Sequence, residues 1–259
     1  MASMVHFPTR HKAHVHGELI EYVVAGQDGP VIVLINGSGG TIEAWHKVFR
    51  PLSELAITFA YDRPGVAGGS KPAVVQTASH MVASLYALLR AAGQRPPYVL
   101  VGHSLGGLIA NLFARLHPAL VESVVLIEAT SPDDPVALQK HENGAQRLIR
   151  VVLDKVAPLH PHSETLHINA SVRELLDAPA FPNVPLIVVS GSKPAMAWAT
   201  APQALSVRAA NQKKLLGLST LSKQVMATNS GHFPQFSEPD VVVAAIKEAV
   251  DWHSRRRGA

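Results

Sequence analysis

The chain has 259 residues, of which 47% are hydrophobic and 16% charged, and this predicts one compact α/β domain with an insertion rather than a disordered chain. Its net charge of +4 is small and, outside Arg255 to Arg257, the basic residues are scattered, so we expect no nucleic-acid partner. The absence of cysteine excludes disulfides, thiol catalysis and thiolate metal sites.

The N-terminal stretch from Met1 to His16 lacks the apolar region of a signal peptide, and no apolar run approaches membrane-spanning length. We therefore expect a cytoplasmic protein with no membrane span, unless a presequence has been removed. The histidines at positions 6, 11, 14 and 16 follow no regular metal-ligand pattern. A mobile terminus or an edge strand is the expected structure there.

Along the chain, apolar runs of strand length alternate with segments of helical periodicity. This order is typical of a mostly parallel, doubly wound α/β sheet with helices on both faces, and we expect about seven or eight strands. The predicted strands are 17–25, 31–35, 57–61, 98–101, 124–128, 185–190 and 223–228. The predicted helices are 42–52, 78–91, 108–116, 203–216 and a final helix that begins near Pro239.

One connection of more than fifty residues interrupts this alternation, and connections of that length are usually functional in a compact domain. Ile149 and Leu153 lie on the apolar face of one predicted helix in it, and a second helix is expected at 167–177. We predict a core of residues 1–130 and 184–259 with a small helical cap, 131–183, over the C-terminal edge of the sheet. Ile149 and Leu153 are expected to contact the apolar part of a substrate or to pack on the sheet edge.

Residues 102–107, Gly-His-Ser-Leu-Gly-Gly, stand between a predicted strand and a predicted helix. Gly-x-Ser-x-Gly in that context is typical of a nucleophile elbow, in which the serine occupies a strained turn. Gly102 and Gly106 lack the Cβ atoms that would collide where the chain doubles back. The pattern predicts Ser104 as a nucleophile, with an ordinary glycine-rich turn as the alternative.

A serine nucleophile needs a base that takes its proton and a third group that orients the base. His232 lies in Ser-Gly-His-Phe, 230–233, directly after the last predicted strand, and so belongs at the same sheet edge as Ser104. We predict His232 as the base. His103, adjacent to Ser104, is expected to point elsewhere and to be structural.

Four segments together resemble the α/β-hydrolase superfamily, in its capped esterase and lipase-like branch: 36–40 (Asn-Gly-Ser-Gly-Gly), 62–65 (Asp-Arg-Pro-Gly), 102–107 and 230–232. The resemblance covers nearly the whole chain. It implies that Ser104 is the nucleophile and His232 the base. The backbone N–H groups of Leu105 and Ser38 would then form the oxyanion hole.

The loop 36–40 departs from the family pattern, since members often carry His where this chain has Asn36. Gly37 and Gly39 of this loop are expected to line the substrate site, with the Gly39 N–H as a further candidate donor. Asp62 and Arg63 in the matching families are scaffold, and the resemblance implies the same here.

The third member of the triad is an acid, which in many relatives follows the strand after the cap. Here that strand is followed only by Ser-Gly-Ser-Lys-Pro, 190–194, which contains no carboxylate. A second position used in the superfamily follows the preceding strand, where Glu128 stands. The resemblance thus implies Glu128 as the acid, with a structural ion pair as its alternative role, and Asp133 and Asp134 as further candidates.

These features predict a serine hydrolase that cleaves a small or medium carboxylic ester with an apolar part, through an acyl-enzyme and without a metal or other cofactor. One alternative is another chemistry at the same triad: a lactonase, amidase, C–C hydrolase, hydroxynitrile lyase or perhydrolase. The other is a binding protein that has kept the fold. Haloalkane dehalogenases and epoxide hydrolases are set aside because they use Asp where this chain has Ser104. The oligomeric state stays open.

Overall fold

The computed structural model describes residues 7–66, 70–134, 159–194 and 202–257. The strands are β1 (His11–Val15), β2 (Glu18–Ala25), β3 (Val31–Ile35), β4 (Thr58–Asp62), β5 (Tyr98–His103), β6 (Val121–Ile127), β7 (Leu186–Gly191) and β8 (Ser222–Ala227). The α-helices are α1 (Phe49–Ser53), α2 (Ala78–Ala91), α3 (Leu105–Leu116), α4 (Ile168–Asp177), α5 (Pro202–Lys214), α6 (Pro234–Ser237) and α7 (Pro239–Arg257). Single 3₁₀ turns cover Ile42–Trp45, Pro118–Leu120 and Leu215–Leu218.

The strands form one sheet in the order β1-β2-β4-β3-β5-β6-β7-β8. Strand β2 runs antiparallel to β1 and β4, and every pairing from β4 through to β8 is parallel. The predicted fold class, a mostly parallel doubly wound sheet, is thereby confirmed. Because β3, β5 and β6 are parallel neighbours, the loops that follow them emerge together at one edge of the sheet.

Both faces of the central strands are covered, which explains their continuous apolar runs. All residues of β3 and β5 are buried. One face packs against α2, α3 and α4, through side chains such as Leu85 and Leu112. The other packs against α1 and α7, through Phe49 and Ile246. Each fully buried side chain of this kind stabilises the fold by about 1.5–3 kcal/mol.

The predicted elements at 31–35 and 78–91 match β3 and α2 in both bounds. The predicted helix 42–52 is wrong as one element, because the N–H groups of residues 44, 46 and 48 bond to carbonyls three residues back and form a 3₁₀ turn before α1. The histidine-rich terminus, expected to be mobile or an edge strand, contributes the edge strand β1.

The end of the long insertion is joined closely to the core. Val172 and Leu175 of α4 are buried in the same apolar cluster as α2 and α3. Ser171 Oγ accepts a hydrogen bond of 2.9 Å from the N–H of Ala78 at the start of α2. Ile149 and Leu153 lie outside the described residues, so their predicted roles stay predictions. Among the helices of the described segments, none is both long and apolar enough to span a membrane.

Candidate active site

Ser104 occupies a strained turn between β5 and α3, with φ +52° and ψ −121°. Its N–H donates to Ile127 O at 3.1 Å and its carbonyl accepts from Thr130 N–H at 2.9 Å, so the turn is held against the end of β6. A Cβ on Gly106 would lie 2.1 Å from Ile35 O, a separation no real side chain tolerates. The glycines of the motif therefore allow the close approach that holds Ser104 at the sheet edge.

The imidazole of His232 faces this hydroxyl, with Nε2 3.1 Å from Ser104 Oγ. Its backbone is anchored by His103, whose Nε2 lies 2.7 Å from the His232 carbonyl oxygen. Burial, and then the charge of His232, lower the pKa of His103 to about 3. His103 is therefore neutral at physiological pH and donates from Nε2, so it holds the backbone of His232 and does not bond to Ser104.

Glu128 directly follows β6 and is 3% exposed. Its φ of +45° is unusual for a residue with a side chain, and strain of this kind costs about 1–3 kcal/mol, which functional sites often carry. One carboxylate oxygen, Oε1, accepts the Gly191 N–H at 2.7 Å. The other, Oε2, lies 3.6 Å from His232 Nδ1. The backbone turn thus aims the carboxylate at the side of the imidazole remote from Ser104.

A fourth side chain, which the sequence did not indicate, enters this group from α5. Arg208 Nη2 contacts both Glu128 Oε2 and His232 Nδ1. A guanidinium can only donate hydrogen bonds, so Arg208 and an Nδ1–H of His232 would compete for the same Glu128 oxygen.

The charge of Arg208 also affects the pKa of His232. Burial is the main cause that lowers the pKa of His232 to about 4, Arg208 is the second, and Asp134 opposes them. The imidazole is therefore neutral over the whole physiological range, which is the state that a general base requires.

The alternative acids are engaged elsewhere. Asp134 accepts hydrogen bonds of 2.7 Å from the Ser131 N–H and from Asn211 Nδ2. Asp133 pairs with Lys214 at 2.6 Å on the surface. Within the described segments neither carboxylate bonds to His232, and of the three candidates Glu128 makes the closest approach recorded to the imidazole.

The loop 36–40 passes beside Ser104, since a Cβ on Gly37 would lie 3.1 Å from Ser104 Cβ. The N–H of Ser38 and that of Leu105, at the first turn of α3, donate to no other described residue. The Gly39 N–H is occupied, because it donates to Glu164 Oε1 at 2.9 Å. Two of the three candidate donors are thus available to an oxyanion, and the third belongs to a buried ion-pair network.

The loop also contains an amide without a partner. Both polar atoms of the Asn36 side chain are buried and have no hydrogen-bond partner among the described residues. The described part of the chain brings together no three His, Asp or Glu side chains that could hold a metal ion.

A family model described as alpha/beta hydrolase fold matches residues 30–176. The uncharacterized protein YqjL of Bacillus subtilis (strain 168) is 26% identical over 226 residues, which cover 85% of this chain and 83% of YqjL. Relatives from Pseudomonas savastanoi and Mycobacterium bovis are 34% and 32% identical but match only 42% and 47% of this chain, and 42% and 35% of their own lengths.

Solved structures of similar proteins superpose on nearly the whole chain. A thermophilic esterase from Thermogutta terrifontis matches with a TM-score of 0.66 and 20% identity, over 95% of this chain and 99% of the esterase. The enol-lactonase from Burkholderia xenovorans LB400 matches with a TM-score of 0.64 and 22% identity, over 94% and 100%. At these identities the likeness shows the fold alone. The family model spans more than half of the chain and the sheet order agrees with it, so this chain belongs to the alpha/beta hydrolase fold family.

Proposed function

We propose that this chain is a serine hydrolase that cleaves a carboxylic ester through an acyl-enzyme. The observation that carries the proposal is the 3.1 Å separation between Ser104 Oγ and His232 Nε2 at a strained elbow. A serine and a histidine in that geometry form the nucleophile and base of acyl transfer.

In the proposed reaction Ser104 Oγ attacks the ester carbonyl carbon while His232 Nε2 takes the hydroxyl proton. The N–H groups of Ser38 and Leu105 stabilise the oxyanion, and losing one such donor typically costs about 10²–10³ in turnover. His232 then gives its proton to the departing alcohol. Water attacks the acyl-enzyme with His232 again as the base, which releases the acid and restores Ser104.

Glu128 is proposed as the acid that orients His232. The reactive tautomer has its proton on Nδ1, hydrogen-bonded to a carboxylate that stabilises the imidazolium as it forms. Arg208 contacts both Nδ1 and the Glu128 oxygen that this hydrogen bond would use, so its guanidinium must leave both free before the first step.

The segment 131–183 is proposed as the part that selects the substrate, with Ile149 and Leu153 against the apolar part of a small or medium ester. Leu153→Ala should then shift the preferred acyl chain length while labelling by a serine-directed inhibitor continues. An unchanged chain-length profile together with an unchanged melting temperature would leave this role without support.

The decisive experiment compares p-nitrophenyl esters, anilides and lactones as substrates for the wild type and for Ser104→Ala. Hydrolysis of esters above the other classes, lost in Ser104→Ala, is the expected result. A fluorophosphonate should add one adduct to Ser104. Turnover confined to lactones or anilides would assign another chemistry to the same triad, and a protein that is neither active nor labelled would be a binding member of the fold.

A further inference from the structure

A buried ion pair joins the end of the long insertion to the core beside the active site. Arg63, directly after β4, and Glu164 are 2% and 6% exposed. Arg63 Nε lies 2.5 Å from Glu164 Oε2, and Arg63 Nη2 lies 2.8 Å from Glu164 Oε1. The two planar groups therefore make a bidentate pair, the geometry that best fixes their relative orientation.

The same two side chains hold the loop 36–39. Arg63 donates to Asn36 O at 2.9 Å and to Gly37 O at 2.7 Å. Glu164 accepts the Gly39 N–H at 2.9 Å. The next residue of the insertion, Thr165, makes a 2.6 Å hydroxyl–hydroxyl hydrogen bond with Ser38. Each of the four residues 36–39 thus makes a hydrogen bond to Arg63, Glu164 or Thr165.

The bond to Gly37 O has a direct geometric effect on Ser38. Gly37 C=O and Ser38 N–H belong to one peptide unit, which is planar and trans, so the two groups point in opposite directions. The Gly37 oxygen is held by Arg63 at 2.7 Å and by the Gly40 N–H at 3.1 Å, so the Ser38 N–H must point away from these two donors. This peptide unit runs beside the nucleophile, because a Gly37 Cβ would lie 3.1 Å from Ser104 Cβ.

We propose that Arg63 and Glu164, assisted by Thr165, are positioning residues that set the direction of the Ser38 N–H in the oxyanion hole. The inference rests on the proposed acyl transfer at Ser104. It assigns a catalytic consequence to Arg63, which the family resemblance gives as scaffold, and to Glu164 of the inserted segment.

The physical chemistry of buried ion pairs supports a positioning role over a purely stabilising one. The attraction inside such a pair roughly offsets the cost of removing both charges from water, so the pair contributes little net stability. Burial would raise the pKa of Glu164, but Arg63 and the Gly39 N–H outweigh it and lower this pKa. Both groups are therefore charged at neutral pH, and the fixed geometry is what the pair supplies.

The test is the double variant Arg63→Met/Glu164→Met. Replacing a buried pair by apolar side chains of similar volume usually preserves folding. A loss of activity in this variant can therefore be assigned to the orientation of the Ser38 N–H and not to unfolding. We expect kcat to fall by about 10–100-fold with KM nearly unchanged, since a misdirected donor loses part of the 10²–10³ of one oxyanion contact. The inhibition constant of a trifluoromethyl ketone, which binds as a tetrahedral oxyanion, should rise by the same factor.

Four single variants complete the test. Thr165→Val, at the surface, removes only the bond to Ser38 and should lower kcat and ketone affinity together by about 3–10-fold, a partial loss of one donor. Glu164→Asp, which keeps the charge, should recover part of the activity lost in Glu164→Gln. Glu21→Gln is the matched control: Glu21 is also largely buried, and its carboxylate pairs with Arg10 and Lys12 at 3.0 and 2.9 Å and bonds to no described residue of the loop 36–39.

Wild-type kcat and ketone affinity in a folded double variant would overturn the inference. If the double variant does not fold, wild-type values in Thr165→Val, with losses in Glu164→Gln no larger than in Glu21→Gln, would overturn it equally. A wild type that neither hydrolyses esters nor labels at Ser104 would instead refute the proposed function.

Discussion

Arg208 Nη2 contacts the Oε2 atom of Glu128, the same carboxylate oxygen that lies 3.6 Å from His232 Nδ1. The guanidinium and the imidazole therefore compete for one acceptor. Burial is the main cause that lowers the pKa of His232, and the charge of Arg208 is the second. Under the proposed mechanism, the His232 Nδ1–H takes the place of Arg208 at this carboxylate oxygen.

Removing Arg208 should change the pH dependence of hydrolysis. The base works only when neutral, so kcat/KM falls as the pH drops through the pKa of His232, which burial and Arg208 place at about 4. Arg208→Met removes the nearby positive charge and leaves the carboxylate of Glu128 to His232, which raises this pKa. The acid limb of the kcat/KM profile should move to higher pH.

Lys213→Met is the matched control for that change, because Lys213 is an exposed cation on the same helix, α5. Its profile should equal that of the wild type. An acid limb that stays in place or moves to lower pH in Arg208→Met would contradict the assigned contact.

Neutralising Glu128 should cripple the proposed triad without unfolding the protein. Glu128→Gln keeps an acceptor for the Gly191 N–H but no longer stabilises the imidazolium, and we expect turnover to fall by about 10²–10⁴. Steady-state kinetics measure the loss of turnover, and fluorophosphonate labelling of Ser104 tests whether the protein is still folded. If Asp133→Asn/Asp134→Asn is the crippled protein and Glu128→Gln is nearly normal, the acid has been misassigned.

The strain at Ser104 should be visible in stability. Alanine at this position keeps the positive φ and its cost, whereas glycine adopts it freely. Ser104→Gly should therefore be more stable than Ser104→Ala by about 1 kcal/mol, or about 2–4 °C in Tm for a protein of this size. Both should be inactive. Equal melting temperatures in calorimetry would show that the turn carries no such strain.

The close approach at Gly106 should make this position intolerant of any side chain. Its Cβ would lie 2.1 Å from Ile35 O, and β3 cannot shift because it pairs on both sides. We expect Gly106→Ala to cost at least about 3 kcal/mol, measured by urea unfolding. Gly217→Ala, where a Cβ meets nothing within 4 Å, should change stability by less than about 0.5 kcal/mol. Comparable losses in both variants would argue against the clash.

The parts of the site that the sequence predicts best are those tied to strand ends. Ser104 and His232 each follow a strand, and strand ends in a parallel sheet meet at one edge, so local pattern and topology indicate both. Glu128 also follows a strand, but its choice over Asp133 and Asp134 came from the family resemblance and stays a prediction. The helix at 42–52 was mispredicted because helical periodicity does not distinguish a 3₁₀ turn followed by a short helix from one continuous helix.

Arg208 and Glu164 were not predicted, and the reason is physical. Arg208 is one of several cations on a polar helix, and Glu164 meets Arg63 across 101 positions of sequence. No local motif marks either residue, since their roles arise only when α5 and the end of the insertion pack beside the sheet edge. Arg63 belongs to the motif Asp-Arg-Pro-Gly, 62–65, but the motif does not identify Glu164 as its partner.

The network between Arg63, Glu164 and the loop 36–39 has a consequence for engineering new specificities. Exchanging the whole insertion for that of another hydrolase is an obvious way to import a different substrate pocket. Such a graft would delete Glu164 and Thr165, and would leave the Arg63 guanidinium buried without a counter-charge. A chimera should keep residues 159–167 from this chain and splice the foreign segment upstream of them.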